Sequence, residues 1–260
     1  YLSADQMKDV LVIGGGVIGL CTAYYCAQRG ANVTVLERGS ADDRGCSYGN
    51  AGMIVPSHFV PLAAPGMVAL GFKWMWNPES PFYIKPRLNA ALISWGMKFW
   101  HAATPAHVRE SAPFLRDLHL ASRECFETIA ATIGSDFGLV KQGLLMLCKT
   151  EHALAEEINA AKEARALDIP AEVLSPAQIA TLDPDVTISV SGGIYYPRDC
   201  HLSPDRFMES LKRELRRLNV RILWNTEVTG WKDVKGKIEA AGTSDGEIVA
   251  DEYVLCGGSW

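Results

Sequence analysis

The sequence lacks the residue spacings that mark disulfide frameworks and metal sites. Its seven cysteines include no Cys-x-x-Cys pair and are odd in number. This pattern is typical of a reducing compartment, where thiols pack as small hydrophobic groups. The six histidines show no His-x-His or His-Glu-x-x-His spacing. We therefore expect free thiols and no metal site.

Excess positive charge and an uninterrupted apolar run are also missing. The formal net charge is −5, so nothing favours a nucleic-acid partner. Residues 45–72 contain no Asp, Glu, Lys or Arg, but Pro56, Pro61 and Pro65 interrupt them. These prolines argue against a membrane-spanning helix. The polar residues before the first predicted strand show no signal-peptide pattern, and we expect a cytoplasmic protein.

A glycine-rich turn after an apolar segment is the most informative motif. Residues 10–13 predict a strand buried on both faces, and Gly14, Gly16 and Gly19 follow in Gly-x-Gly-x-x-Gly spacing. This spacing permits a tight turn, a close approach of a pyrophosphate to the backbone, and close packing of the next predicted helix, residues 20–29. The phosphates would meet the amino end of that helix.

An acid follows the next predicted strand, residues 33–36, at the position of Glu37. At this distance from the first glycine, a carboxylate is placed to accept hydrogen bonds from a ribose hydroxyl. It also argues against the 2′-phosphate of NADP, despite the neighbouring Arg38. The strand, glycines, helix and acid together predict a dinucleotide site, with a glycine-rich turn in an unrelated α/β protein as the alternative.

Two segments after Glu37 leave alternatives open. Residues 38–52, rich in Gly, Ser and Asn, either add backbone donors to a pyrophosphate or form an ordinary surface connection. Residues 53–105 are rich in proline and tryptophan, and residues 90–100 fit a helix. We interpret their aromatic side chains as hydrophobic core, with an oligomer surface, a substrate-side wall or a peripheral membrane contact as the alternatives.

The rest of the chain alternates between amphipathic helices and short strands. Helices are predicted at 111–134, from the Thr150 cap to about 167, and after Ser175-Pro176 and Ser203-Pro204. In the last of these, Lys212, Arg213, Arg216 and Arg217 are expected to form a solvated face. Strands are predicted at 144–148 and 220–224, in a β-meander at 227–232, 237–243 and 247–250, and in a buried strand at 253–256.

A set of short motifs extends along the whole chain. It comprises the glycine motif at 12–19, Glu37-Arg38, Ser-Tyr-Gly-Asn-Ala-Gly at 47–52, Pro56-Ser57, Pro61, Ala-Pro-Gly at 64–66, Gly192-Gly193, Thr-Glu-Val-Thr-Gly-Trp at 226–231, and Cys-Gly-Gly-Ser-Trp at 256–260. With this set the sequence resembles the flavin-dependent D-amino-acid oxidase superfamily, and within it the bacterial D-amino-acid dehydrogenases.

The resemblance implies FAD as the cofactor. Glu37 would bind the adenosine ribose, Arg38 and residues 47–52 would line the pyrophosphate and flavin, and Val228 would contact adenine through its backbone. The implied cofactor-binding residues are Ile13, Gly14, Gly15, Gly16, Val17, Ile18, Gly19, Glu37, Arg38, Ser47, Gly49, Asn50, Ala51, Gly52, Val228, Gly257 and Gly258.

The implied fold is α/β. A Rossmann-like FAD-binding domain with a β-meander, residues 1–52 and 198–260, would be interrupted by an α+β substrate domain, residues 53–197. Since the sequence stops on a strand-to-glycine turn, we expect it to be an N-terminal portion of a longer protein. On its own, this portion is expected to bind FAD poorly and not to turn over.

The implied reaction oxidises the amine of a D-amino acid to an imino acid, which hydrolyses to an oxo acid and ammonia. A hydride passes to flavin N5, and the electrons continue to a quinone or to oxygen, with peripheral contact to the inner face of the membrane. The substrate carboxylate needs a cation, which we expect beyond Trp260. Local pocket candidates are His58, Arg87, Tyr195, Tyr196, Arg198 and His201.

Three other functions remain open. The chain is alternatively a glycine, sarcosine or hydroxyproline oxidase of the same superfamily. It is otherwise a non-catalytic FAD-binding subunit or an inactive truncated product. An NAD-dependent dehydrogenase ranks last, because it leaves the loop 47–52 and the closing Gly-Gly-Ser-Trp unexplained.

Overall fold

The structure is a computed structural model that describes residues 7–74, 79 and 89–258. Its elements, in chain order, are β1 (Asp9–Ile13), α1 (Val17–Gln28), β2 (Asn32–Leu36), β3 (Met53–Ile54), α2 (Met67–Trp74), α3 (Ala90–Ala102), α4 (Pro105–Ile133), β4 (Leu144–Cys148), α5 (Glu151–Ala166), β5 (Glu172–Leu174), α6 (Pro176–Leu182), β6 (Gly192–Tyr196), β7 (Cys200–His201), α7 (Pro204–Arg217), β8 (Arg221–Leu223), β9 (Val228–Val234), β10 (Lys237–Thr243), β11 (Gly246–Ile248) and β12 (Glu252–Leu255).

The chain divides into two compact units. The first unit comprises residues 1–52, 129–139 and 202–260, and the second comprises residues 53–128 and 140–201. The long helix α4 contributes residues to both.

A four-stranded parallel sheet organises the first unit. Its strand order is β12-β1-β2-β8, and Val12 of the buried strand β1 lies between Val35 and Val254. Taken from the β8 edge, these are the third, second, first and fourth strands of the sheet in chain order, which is the order of half a doubly wound dinucleotide fold. The predicted Rossmann-like α/β fold is therefore confirmed. The carboxyl ends of its strands meet at one edge.

Local sequence explains the first crossover. Helix α1 buries Leu20, Ala23 and Tyr24, and it ends where Gly30 adopts a positive φ of 84°, which favours glycine over residues with a Cβ. The predicted meander also forms, because β9, β10 and β11 pair in sequence as antiparallel strands.

Helix α7 contains the main error in the predicted helices of the first unit. Its predicted apolar stripe is correct, since Phe207, Leu211 and Leu215 are buried. Lys212, however, is only 4% exposed and does not belong to a solvated face. Its ammonium lies 5.2 Å from the ring centroid of Tyr48 and 5.1 Å from that of Trp224.

The second unit is built on a three-stranded antiparallel sheet of order β4-β6-β5. Helix α5 packs on it through Ala161 and Ala164, which share a buried cluster with Ile194 and Tyr196. Thr150 caps α5 by accepting the Ala153 amide, as predicted. Ser175 and Gln178 form a reciprocal capping box at the start of α6.

Helix α4 begins six residues before the predicted start. It starts at Pro105, and Pro113 lies inside it. The Thr104 hydroxyl accepts the His107 amide at 3.2 Å and so caps the true first turn. A proline usually occupies the first turn of a helix rather than its interior, so the sequence around Pro113 does not indicate the earlier start.

The interpretation of the aromatic side chains of α2 and α3 as hydrophobic core is wrong. Neither α2 nor α3 has a buried residue, and Trp95 and Trp100 are 48% and 63% exposed. No helix in the described ranges is both long and apolar enough to cross a bilayer.

The last strand is also less buried than predicted. In β12, Tyr253 and Val254 are half-buried, while Leu255 is exposed. Among the described residues β12 pairs with β1 alone, so one of its edges carries no neighbouring strand.

Candidate functional site

Two of the motif glycines are required by packing alone. Gly14 has a φ of +111°, and a Cβ there would overlap the carbonyl oxygen of Cys256. A Cβ on Gly19 would overlap the carbonyl oxygen of Gly14. These two glycines therefore allow β1, α1 and the residues after β12 to approach closely.

Gly16 differs from both of these glycines. It caps α1 with φ −73° and ψ 178°, which any residue can adopt, and a Cβ there would meet only the Ser47 hydroxyl, at 3.3 Å. The protein's own packing leaves room at this position. The room lies at the amino end of α1, where backbone N–H groups and the helix dipole favour an anion.

The carboxylate of Glu37 braces the glycine turn. Its Oε2 accepts the Gly15 amide at 2.6 Å, and its Oε1 accepts the Gly39 amide at 2.8 Å. Each oxygen has two lone pairs, so acceptor capacity remains for a hydroxyl. The adjacent Arg38 is exposed.

The loop 47–52 lies against the amino end of α1. The Ser47 hydroxyl accepts the Val17 amide at 2.9 Å. Asn50 braces the loop from within, since its Oδ1 accepts the Gly52 amide and its Nδ2 donates to the Ser47 carbonyl. Gly49 and Ala51 are exposed. The structure thus brings this loop and the glycine turn together.

The ends of β8 and β12 complete the same edge. The Cys256 amide donates to the Ile13 carbonyl at 2.7 Å, which brings the chain at Gly257 and Gly258 beside the glycine turn. On the other side, the Thr226 amide donates to the Glu37 carbonyl at 2.9 Å, and Val228 opens β9 two residues later. Ile18 on the first turn of α1 is exposed.

A buried cation, which no sequence motif reveals, lies against the loop 47–52. The Lys212 ammonium donates to the Ala41 carbonyl at 3.2 Å and to Glu209 at 3.3 Å. The Tyr48 hydroxyl donates to the same Glu209 oxygen. Burial opposes the charge, but the contacts with Tyr48 and Glu209 outweigh it and raise the pKa of Lys212. This cluster fixes the loop to α7.

The pocket candidates lie in different environments of the second unit. Tyr196 is buried in the core of its sheet, and burial, with smaller contributions from Glu157 and Asp199, raises its pKa to about 12. The Tyr195 hydroxyl donates to the Gln142 carbonyl, and Arg198 donates to the Asp168 carbonyl.

The remaining candidates are two histidines and Arg87. His201 is exposed in β7 and pairs with Met53 of β3, whereas His58 is exposed and lies beside Ser57. Arg87 lies outside the described residues.

The predicted pocket candidates do not include Asp199, a buried carboxylate of the second unit that lies near His58. Asp199 is 1% exposed and accepts both the hydroxyl and the amide of Ser57. No local motif could reveal this contact, because 142 positions separate the two residues. His119 of α4 lies nearby and interacts electrostatically with His58 and Asp199.

Comparison with known proteins identifies the family. Residues 9–260 match the family model DAO, FAD dependent oxidoreductase. The chain belongs to this family. It is 30% identical over 261 residues to D-amino acid dehydrogenase of Bradyrhizobium diazoefficiens, covering 96% of this chain and 60% of that protein. It is 29% identical to D-amino acid dehydrogenase of Vibrio atlanticus, covering 97% and 61%. The chain thus spans about three-fifths of these relatives' length.

Solved structures support the same fold. Glycine oxidase from Geobacillus kaustophilus matches with a TM-score of 0.70 and 21% identity, over 97% of this chain and 56% of that one. L-proline dehydrogenase from P. horikoshii matches with a TM-score of 0.65 and 17% identity, over 98% and 54%. The family match confirms the resemblance drawn from the motifs and FAD as the cofactor.

The residues at the sheet edge fit FAD. The space at Gly16 that a Cβ would fill, the helix amino end beside it, and the Glu37 carboxylate match a pyrophosphate and a neighbouring ribose.

Proposed function

We propose that this chain forms the cofactor-binding part of an FAD-dependent enzyme that oxidises the amine of D-amino acids. The proposal rests on the space at Gly16. The fold itself would tolerate a Cβ at this position, whereas a bound pyrophosphate would require the space to stay open. The names of the relatives, D-amino acid dehydrogenase, support the substrate class.

We assign each contact of the cofactor to a group at the sheet edge. The amino end of α1 and the Gly16 backbone bind the pyrophosphate, which is the most highly charged part of FAD. Glu37 binds the adenosine ribose with the lone pairs that Gly15 and Gly39 leave free. The backbone of Val228 contacts adenine.

Two further segments complete the proposed cofactor site. Residues 47–52 lie toward the flavin, and Gly257 and Gly258 follow the cofactor beside the glycine turn. The close approach of Cys256 to Gly14 supports this position for the last two glycines.

The two units have separate roles in this proposal. The first unit binds FAD, which when bound takes a hydride from the substrate α-carbon at N5. The second unit, with its buried Asp199 and the neighbouring histidines, contributes to substrate binding. The resulting imino acid hydrolyses to an oxo acid and ammonia, and a quinone or oxygen accepts the electrons.

Anaerobic flavin reduction tests the proposed activity. The full-length protein, loaded with FAD, is mixed with a panel of D-amino acids and their L-enantiomers, and the visible flavin absorption is followed. We expect bleaching by D-amino acids and none by the L-enantiomers.

Three other results would contradict the substrate assignment. Bleaching by glycine or sarcosine alone, or by hydroxyproline alone, assigns another amine oxidase of the family. FAD binding without bleaching by any amine assigns a non-catalytic FAD-binding chain.

We propose in addition that α2 and α3 contact a membrane surface. Both helices lack buried residues, and Phe72, Trp95 and Trp100 are largely exposed. Tryptophan and other apolar side chains beside lysines, here Lys73 and Lys98, are typical of interfacial helices. A membrane-bound quinone would then be the electron acceptor.

Vesicle co-sedimentation tests the contact. We expect the protein to bind anionic vesicles and the double variant Trp95→Ala/Trp100→Ala to bind them several-fold less. The control is Phe114→Ala, which removes a 77% exposed aromatic side chain from α4. Equal binding by all three proteins, or a tryptophan effect on oligomeric state alone, contradicts the proposal.

A further inference from the structure

The segment 40–51, which lies between β2 and β3, is held in the first unit by a few side chains. It contains no helix or strand and is mostly exposed, with Ser47 and Tyr48 half-buried. The Ser47 hydroxyl accepts the Val17 amide of α1 at 2.9 Å. The Tyr48 hydroxyl donates to Glu209 of α7 at 3.0 Å. These two neighbouring residues therefore join the segment to both helices.

Lys212 of α7 contacts the same segment at two places. Its ammonium donates to the Ala41 carbonyl at 3.2 Å and lies 5.2 Å from the ring centroid of Tyr48. It also donates, at 3.3 Å, to the Glu209 oxygen that accepts the Tyr48 hydroxyl. One ammonium thus holds the chain near residue 41 and again at residue 48.

The charge of Lys212 is buried and is nevertheless retained. The residue is 4% exposed, and its ammonium lies 5.1 Å from the ring centroid of Trp224. Burial lowers the pKa of Lys212, but the contacts with Tyr48 and Glu209 outweigh this effect and raise it. The side chain is therefore an ammonium near neutral pH. Because little water surrounds this ammonium, solvent weakens its attraction to the carbonyl and the rings only slightly.

The Ser47 hydroxyl connects this segment to the proposed pyrophosphate site. Its oxygen accepts the amide of Val17, the first residue of α1, and would lie 3.3 Å from a Cβ on Gly16. Its own proton has no acceptor among the described residues, so it is available to a phosphate oxygen. Since Tyr48 follows Ser47 directly in the chain, fixing Tyr48 also fixes this hydroxyl.

We propose that Lys212 is a positioning residue for FAD binding, which holds residues 41–48 so that the Ser47 hydroxyl stays beside Gly16 and donates to the pyrophosphate. Lys212 is buried and acts through the segment. The inference rests on the proposed function, in which this sheet edge binds FAD. All of the residues involved belong to the first unit.

The expected size of the effect follows from the population of the ordered segment. A ligand that binds only one conformation has an apparent affinity that falls in proportion to the fraction of molecules in that conformation. Without Lys212, the bonds to Ala41 and Glu209 and the ring contact with Tyr48 are lost. If about one molecule in ten then keeps the segment in place, FAD binding weakens about 10-fold.

Hydrogen exchange tests the positioning role without FAD. In NMR spectra of the cofactor-free, full-length protein, we expect Lys212→Met to accelerate exchange of the Val17 and Tyr48 amides about 10-fold, because their bonds to Ser47 and Gly45 break when the segment opens. Methionine keeps an unbranched apolar side chain between the two rings.

The matched control is Val33→Ala, at the amino end of β2 and therefore away from the proposed site. Val33 is 2% exposed, so this substitution lowers the stability of the same unit. Both variants accelerate core amides of β1 that exchange by global unfolding. Only Lys212→Met should accelerate the Val17 and Tyr48 amides, which exchange by local opening.

Flavin fluorescence titration of the full-length proteins tests the consequence for the cofactor. We expect Lys212→Met to raise the Kd for FAD about 10-fold, and Val33→Ala and the exposed Arg216→Met to leave it unchanged. Ser47→Ala should weaken binding as well. It should weaken binding less in the Lys212→Met background than in the unsubstituted protein, because both substitutions remove the same phosphate contact.

The outcomes separate this inference from the proposed function. If Lys212→Met binds FAD as the unsubstituted protein does, the positioning role is wrong and the proposed function stands. An equal loss of affinity in Val33→Ala, or independent effects of Lys212→Met and Ser47→Ala, also overturns the positioning role. If the unsubstituted protein does not bind FAD, both are wrong.

Discussion

Replacing Gly16 by alanine should weaken FAD binding much more than it lowers the stability of the fold. Alanine is a poorer N-cap than glycine by about 1 kcal/mol or less, and the Ser47 hydroxyl must move a few tenths of an ångström from its 3.3 Å contact. Alanine also restricts the backbone of the unfolded chain, which stabilises the folded state by about 0.4–1 kcal/mol. The net cost is about 1 kcal/mol or less, which lowers Tm by at most about 2–4 °C.

The effect of the same substitution on FAD is much larger. The added methyl group occupies the space proposed for the pyrophosphate and removes at least one charge-assisted hydrogen bond, worth about 1.5–3 kcal/mol. We expect the affinity for FAD to fall by about 10- to 100-fold. Titration by flavin fluorescence gives the affinity, and thermal unfolding gives Tm.

Two matched variants complete the experiment. Gly19→Ala should unfold the protein, because its Cβ overlaps the Gly14 carbonyl. Gly45→Ala, with no neighbour within 4 Å, should change neither Tm nor affinity. The reasoning is refuted if Gly16→Ala binds FAD normally, or if it destabilises the protein as much as Gly19→Ala does.

Two further predictions concern ionisable side chains that are wholly or partly buried. In urea unfolding, Lys212→Met should lower the free energy of unfolding by about 1–3 kcal/mol, because hydrogen bonds and cation–π contacts are lost. The exposed control Arg216→Met should have little effect. Equal effects of the two substitutions would contradict this prediction. Because burial depresses the pKa of folded His119, unfolded chains bind its proton first, so stability falls as pH drops below about 6.5. In urea unfolding, His119→Gln should make the free energy of unfolding decrease less as the pH drops. An unchanged pH dependence would contradict the assignment.

The parts of the fold that follow local rules could be predicted from the sequence. The glycine turn, Glu37 and the capped helices depend on neighbours within a few tens of residues. Their backbone geometry is set by residue type, as in the positive φ of Gly14 and Gly30. The meander followed in the same way from its turn residues.

The errors came from contacts between distant segments. Lys212 is buried by Tyr48 and Trp224, and helical periodicity alone cannot distinguish it from the solvated arginines beside it. The Asp199–Ser57 contact joins two distant loops. The exposed α3 has the apolar composition of a core helix, so composition could not reveal which environment it occupies.

The central claim is that the sheet edge around Gly16 and Glu37 binds FAD. The most direct measurement is an equilibrium titration of the full-length protein with FAD, in which ADP and NAD⁺ compete for the site. The account predicts saturable binding of FAD, displacement by ADP, which carries the same adenosine and pyrophosphate groups, and tighter binding of FAD than of NAD⁺. Absence of FAD binding, or NAD⁺ binding as tightly as FAD, would contradict it.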